Sequence, residues 1–161
     1  MIFAALACGT GASAAARPVL CGSDAVVFEC RLPPQTAAVC MIAATASHPA
    51  FAQYRAGRPG HMTAIYPAGA ADGAIGFSTT SFAGGGENHL SFERKHDHYL
   101  LYDSTIKTGL GSTNDPRFSA GLTITRNGKM TANRQCSNDA SIRALAYKAL
   151  PRVPYVERPT H

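Results

Sequence analysis

A chain of 161 residues has room for a single domain. With 45% apolar and 16% charged residues it is globular, not disordered, and no apolar run approaches the roughly 20 residues of a membrane-spanning helix. The net charge of +5 lies entirely in residues 126–161, where Arg126, Lys129, Arg134, Arg143, Lys148, Arg152 and Arg158 face only Asp139 and Glu157. Such a segment offers a basic surface to an acidic partner or to lipid head groups. Its charge density is too low for a nucleic-acid footprint, and no aromatic–basic RNA motif accompanies it. A solvated helix face and tail is the plainer reading.

Residues 1–16, MIFAALACGTGASAAA, are small and apolar with no charge before Arg17. They resemble a secretory leader cleaved near Ala14–Ala16. The leader lacks Lys or Arg at its start, and its apolar stretch Ile2–Ala7 is short; a start placed too far downstream accounts for both. Cys8 is expected to leave with the leader, lipidation at Cys8 being the alternative. Cys21, Cys30, Cys40 and Cys136 remain, an even number that reads as two disulfides in an exported domain. Three pairings are open. Cys30 and Cys40 close two strand-like runs on either side of Pro33-Pro34, so the expected bonds are Cys30–Cys40 and Cys21–Cys136. No pair has the CxxC spacing of a zinc site.

Residues 17–136 read as a β domain. Val26-Val27-Phe28 and Ala38–Ile42 suit a buried hairpin. Phe51–Arg55 is the next strand, and Gly57-Arg58-Pro59-Gly60 is a turn. His61–Tyr66 alternates and stops at Pro67, and Gly73–Thr80 is a strand around Ile75 and Phe77. Gly84-Gly85-Gly86 is a bulge or turn feeding a central hairpin, with Leu90 and Phe92 on one arm and Tyr99, Leu101 and Tyr102 on the other. Ser104–Arg117 is a polar loop, long for a structureless connection and so mobile or functional. Phe118–Arg126 alternates, Asn127-Gly128 is a strong hairpin signal, and Lys129–Cys136 returns from it. Asn138 or Asp139 is expected to cap a helix over residues 137–150, with Ile142, Leu145, Ala146 and Ala149 on one face and Pro151 as its stop. The proline-rich tail, residues 151–161, is expected to be extended. The pattern predicts an all-β, antiparallel sandwich or small barrel with one C-terminal helix.

Phe28-Glu29-Cys30 with Cys40 after nine intervening residues, QYRAG at Gln53–Gly57, Tyr66-Pro67, GGGE at Gly84–Glu87, Phe92 and YLLYDS at Tyr99–Ser104 together resemble a family of small exported bacterial proteins with no assigned activity. The likeness continues through Gly121, the Asn127-Gly128-Lys129 turn and Cys136. It implies a periplasmic or secreted protein, a compact β domain and paired cysteines, and it brings no catalytic residues with it. Lys95-His96-Asp97-His98 and everything after Cys136 depart from the pattern.

Three sets of residues invite a chemical reading. His96 and His98 share a face if they lie in one strand, and His89, His61 or Asp97 would complete a metal site; otherwise they sit at a solvated hairpin tip. Glu87, Asp97 and Asp103 would serve hydrolysis only if one carboxyl were held protonated. Neither a GxSxG elbow nor a P-loop or dinucleotide fingerprint is present. Tyr54, Arg55 and Arg58 around the Gly57 turn have the composition of an interface anchor, against a structural ion pair of Arg55 with Glu87 or Glu93. Gly84, Gly85 and Gly86 would let a ligand approach the backbone closely, against a simple bulge. The resulting expectation is a non-enzymatic, inhibitor- or immunity-like module that binds another exported protein and needs no cofactor. The alternative is a small-molecule or metal binder built on His89, His96 and His98.

Overall fold

The structure, a computed structural model, describes residues 20–107 and 115–159; the expected leader and Cys8 lie outside them. The chain forms two antiparallel meanders. β1 (Ala25–Leu32), β2 (Gln35–Ile42), β3 (Phe51–Arg58) and β4 (His61–Tyr66) make a four-stranded sheet in sequence order. β5 (Gly76–Phe82), β6 (Gly85–Arg94), β7 (Asp97–Lys107), β8 (Pro116–Arg126) and β9 (Lys129–Gln135) make a five-stranded one. No ladder joins the two sheets, so the domain is a sandwich and not a closed barrel.

Turn chemistry sets the hairpins. Asn127 and Gly128 both take positive φ (50° and 73°), the geometry that matches strand twist in a two-residue turn. Lys95 (φ 58°) turns β6 into β7. Strand alternation then sorts side chains between faces. In β2, Ala37 and Val39 enter the core shared by both sheets, together with Phe28, Phe77, Leu90 and Leu101. Ala38 and Cys40 point the other way, into a small outer cluster with Leu20 and Cys21.

That sorting corrects the expected disulfides. The bonds are Cys21–Cys40 and Cys30–Cys136, not Cys30–Cys40 and Cys21–Cys136. In the β1–β2 ladder Cys30 lies opposite Ala37 and faces the core, whereas Cys40 lies opposite Val26 and faces outward. The two sulfurs are on opposite faces and three rungs apart, roughly 10 Å along the strand, beyond the reach of a disulfide. Cys21 instead meets Cys40 on the outer face, and Cys30 meets Cys136 just past β9, with Cα–Cα distances of 5.4 and 5.1 Å.

The C-terminal segment also differs from expectation. Helix α1 covers only Leu145–Ala149, because residues 137–143 are drawn out along the open edge of β1. Ser137 N donates to Arg31 O, Arg143 N donates to Val27 O, and Asn138 exchanges side-chain bonds with Arg31 N and Glu29 O. Asn138 therefore serves β1 and not a helix cap. Of the expected apolar face, Ile142 and Ala146 are buried in the shared core and Leu145 packs partly against it, while Ala149 is exposed; Leu150 is buried with them. The chain then runs extended beside β5, where Phe77 N donates to Pro151 O and Val153 N to Phe77 O. The two ends of the long polar loop expected at Ser104–Arg117 are strand, since β7 and β8 stay paired out to Lys107 and Pro116; residues 108–114 lie outside the described residues.

The two disulfides close loops of very different size, with sequence separations of 106 and 19. In the chain-entropy model, replacing Cys30 and Cys136 by Ser lowers stability by about 4–5 kcal/mol, against about 3 kcal/mol for Cys21 and Cys40. Urea unfolding of the two double variants measures that order, and non-reducing peptide mapping recovers the 21–40 and 30–136 pairs.

Candidate functional site

Alternation along β3 buries Tyr54 and turns Arg55 to the outer face. Arg55 is already fully engaged there. Its Nη2 donates to Asp24 Oδ2 at 2.8 Å, its Nη1 reaches the carbonyls of Leu20 and Cys21, and its Nε donates to Gln53 Oε1. The expected partners Glu87 and Glu93 belong to β6 in the other sheet, so Asp24 takes their place. Arg55 thus pins the segment that carries Cys21. Arg58 remains exposed and donates to Pro34 O at 2.9 Å.

Gly84 makes the β5–β6 turn with φ 91°, and the ladders on both sides of β6 run without a register shift, so the triple glycine is a turn and not a bulge. Gly85 is required by close packing: a Cβ there would collide with the Thr105 carbonyl of β7. Gly85→Ala should therefore cost about 1–3 kcal/mol. Thermal unfolding beside Gly84→Ala, whose site has space but an unfavourable φ, separates the two causes.

The three expected metal-binding histidines are not brought together. His96 is exposed in the β6–β7 turn. His98 Nδ1 donates to Glu93 Oε1 at 2.7 Å. His89 lies opposite Tyr102, four residues before the rung of Glu93 and His98, roughly 13 Å away. His61 is on the other sheet, and Asp97 pairs with Arg126. Among the described residues no group of three or more His, Cys, Asp or Glu side chains is placed to hold a metal ion.

A different cluster forms on the outer face of the five-stranded sheet, where the tail crosses it. His89, only 1% exposed, donates through Nε2 to Glu87 Oε1 at 2.5 Å, since an ionised carboxylate only accepts. Arg158 Nε donates to the same oxygen at 3.2 Å, and its guanidinium lies 3.9 Å from the centre of the Tyr102 ring. Tyr155 stacks on His89 with ring centres 4.7 Å apart. Burial pushes the Glu87 carboxyl up, but the hydrogen bonds and charges of His89 and Arg158 outweigh it and hold it at about 2. Asp97 is also held low, by its hydrogen bonds to Arg126. Asp103 accepts from Asn88 Nδ2 and from Ile142 N. The carboxylates considered for acid–base work are thus structural anchors, two of them shifted away from the direction a general acid needs.

The sequence did not point to this cluster, because its members are 71 residues apart. The only signal was the excess of basic residues over 126–161, and much of that charge is used internally. Arg126 meets Asp97, Arg152 stacks over Phe77 at 4.7 Å, and Arg134 Nη2 donates to the carbonyls of Leu32 and Pro33.

A cavity of about 270 Å³ opens between the sheets, with Tyr54, Tyr99 and Arg134 among its lining residues. No protein-family model, curated protein or solved structure matches the chain.

The Glu87 latch has a definite pH signature. Its folded carboxyl lies near 2 against an ordinary 4.5, so the unfolded chain binds the proton more readily between those values. The contribution is complete above pH 4.5 and is lost as pH falls through 2. It amounts to an order of 3 kcal/mol. Urea unfolding from pH 5 to pH 2 should show this slope in the wild type and a flatter one in Glu87→Gln.

Proposed function

We propose that this protein is an exported, non-enzymatic binding module that takes an extended acidic segment of another protein along β4. The observation that carries the reading is the contrast between sheet edges. β1 is covered by residues 137–143 and β5 by residues 151–153, while β4 ends its sheet with no strand on its outer side among the described residues. β4 also exposes two large apolar side chains, Met62 (38%) and Ile65 (44%). A bare edge with exposed apolar residues is a template for strand addition. β9 is the other uncovered edge, but Lys129 and Arg134 guard it with charge.

Charge selects the kind of partner. Residues 30–71 contain no Asp or Glu, so β4, its hairpin and Arg58 present a surface without negative charge. An acidic extended peptide complements it, and steric occlusion by the docked domain would suit an inhibitor- or immunity-like role. Two disulfides fit an oxidising compartment, which supports a periplasmic or secreted location, as does the family resemblance. The enzymatic reading is not favoured, because Glu87 and Asp97 are committed to ion pairs.

Affinity capture tests the proposal. Oxidised protein is immobilised and challenged with envelope and culture extracts beside Met62→Asp and Ile65→Asp variants. The wild type should retain one partner in near-equal amount through a moderate salt wash, and each variant should lose at least tenfold. His96→Ala with His98→Ala should leave capture unchanged. An empty wild-type column, or capture that the β4 variants do not weaken, overturns the reading.

A further inference from the structure

The ladder registers leave a gap in the core that the side chains do not fill. In the first sheet Ala56 of β3 lies opposite Ala37 of β2 on one side and Ala64 of β4 on the other, a row of three alanines. In the second sheet Tyr99, Ile124 and Ala132 form a row across β7, β8 and β9. All six line the cavity of about 270 Å³, and Leu32 and Leu122 add further apolar wall. Interiors normally pack with few voids larger than a water molecule. This void is well above the roughly 150 Å³ that holds benzene in an engineered apolar cavity.

Its polar lining comprises Gln35, Thr36 and Thr63, which can donate or accept, together with Tyr54, Tyr99 and the cationic Arg134. Tyr54 is 3% exposed, yet its hydroxyl makes no hydrogen bond among the described residues. Nor is it one of the fully enclosed unpaired oxygens, which belong to Glu29, Ser104 and Thr123. The cavity is the space it opens on. Tyr99 sits beside it, with ring centres 5.7 Å apart. Arg134 uses Nη2 on two backbone carbonyls and is in no salt bridge among the described residues. Among the described residues no Asp or Glu lines the cavity. Burial, then Tyr99, pushes the Tyr54 phenol well above its ordinary value, with Arg94 and Arg134 opposing, so it remains a proton donor at neutral pH. Donors and a cation without a counter-charge, above apolar walls, define a complementary guest.

We propose that this cavity binds a small amphipathic carboxylate, with its apolar body between the alanine row and the Tyr99–Ile124–Ala132 row and its carboxylate at Arg134 and the tyrosine hydroxyls. The cavity borrows Thr63 and Ala64 of β4 for one wall, between the exposed Met62 and Ile65, but the proposal does not depend on partner binding.

Calorimetric titration of the oxidised protein at pH 7 tests it with octanoate, 3-phenylpropanoate and octanol. At least one carboxylate should bind, and roughly tenfold or more tighter than the alcohol. Octanoate alone would point to lipid-derived acids, 3-phenylpropanoate alone to aromatic acids, and both to the shared chemistry only. Arg134→Gln should remove the preference for the charged ligand. Ala132→Leu, which fills the void from the half-buried face of β9, should abolish binding while the circular dichroism spectrum is unchanged. No heat with either carboxylate at millimolar concentration overturns the proposal. So does binding of octanol as tight as octanoate, or binding that Ala132→Leu leaves intact.

Discussion

The Cys30–Cys136 bond is the joint on which the domain turns. Each meander is a local structure whose strands pair only with their sequence neighbours, and no ladder hydrogen bond joins one sheet to the other. Burial of the two inner faces brings them together, but burial is non-directional. The disulfide supplies a fixed point, tying the core face of β1 to the end of β9. Arg134 reinforces that corner through the carbonyls of Leu32 and Pro33.

From that corner the rest of the chain acts as a belt. Immediately after Cys136 it seals the edge of β1, sends Ile142, Ala146 and Leu150 into the core, seals part of β5, and crosses the outer face of the second sheet to the Glu87 latch. A sandwich has four edges, and unpaired edges invite association. Among the described residues the belt covers two and leaves β4 and β9. The exposure of β4 is thus a consequence of where the belt goes.

The two candidate sites differ in physical origin. In the proposed reading the β4 edge would act as a backbone template, selective through the absence of negative charge in residues 30–71. The inter-sheet cavity arises from side-chain volume, three alanines aligned by register where larger residues would close the core. Both use β4, whose Ala64 lines the cavity while Met62 and Ile65 are exposed, so they are told apart by residues on other strands, Ala132 and Arg134 for the cavity.

Fold class was legible in the sequence because alternation and turn chemistry are local. Asn127-Gly128, the stop at Pro67 and the β6–β7 hairpin follow from neighbouring residues. The disulfide pairing was not legible, because it depends on which face each cysteine takes, and one residue of register reverses that. The helix was overcalled because Asn138 is a good cap in isolation, yet the open edge of β1 competed for its side chain and for the backbone around it. Arg55 and Tyr54 stand out in the sequence beside the Gly57 turn, but only the packed structure places one on Asp24 and the other at a cavity. By itself the sequence determined the strands, their turns and the even count of cysteines expected to pair. Tertiary structure decided which cysteines meet, where the tail's arginines go, and which edge and which void remain open, since all of these are set by contacts between residues far apart in the chain.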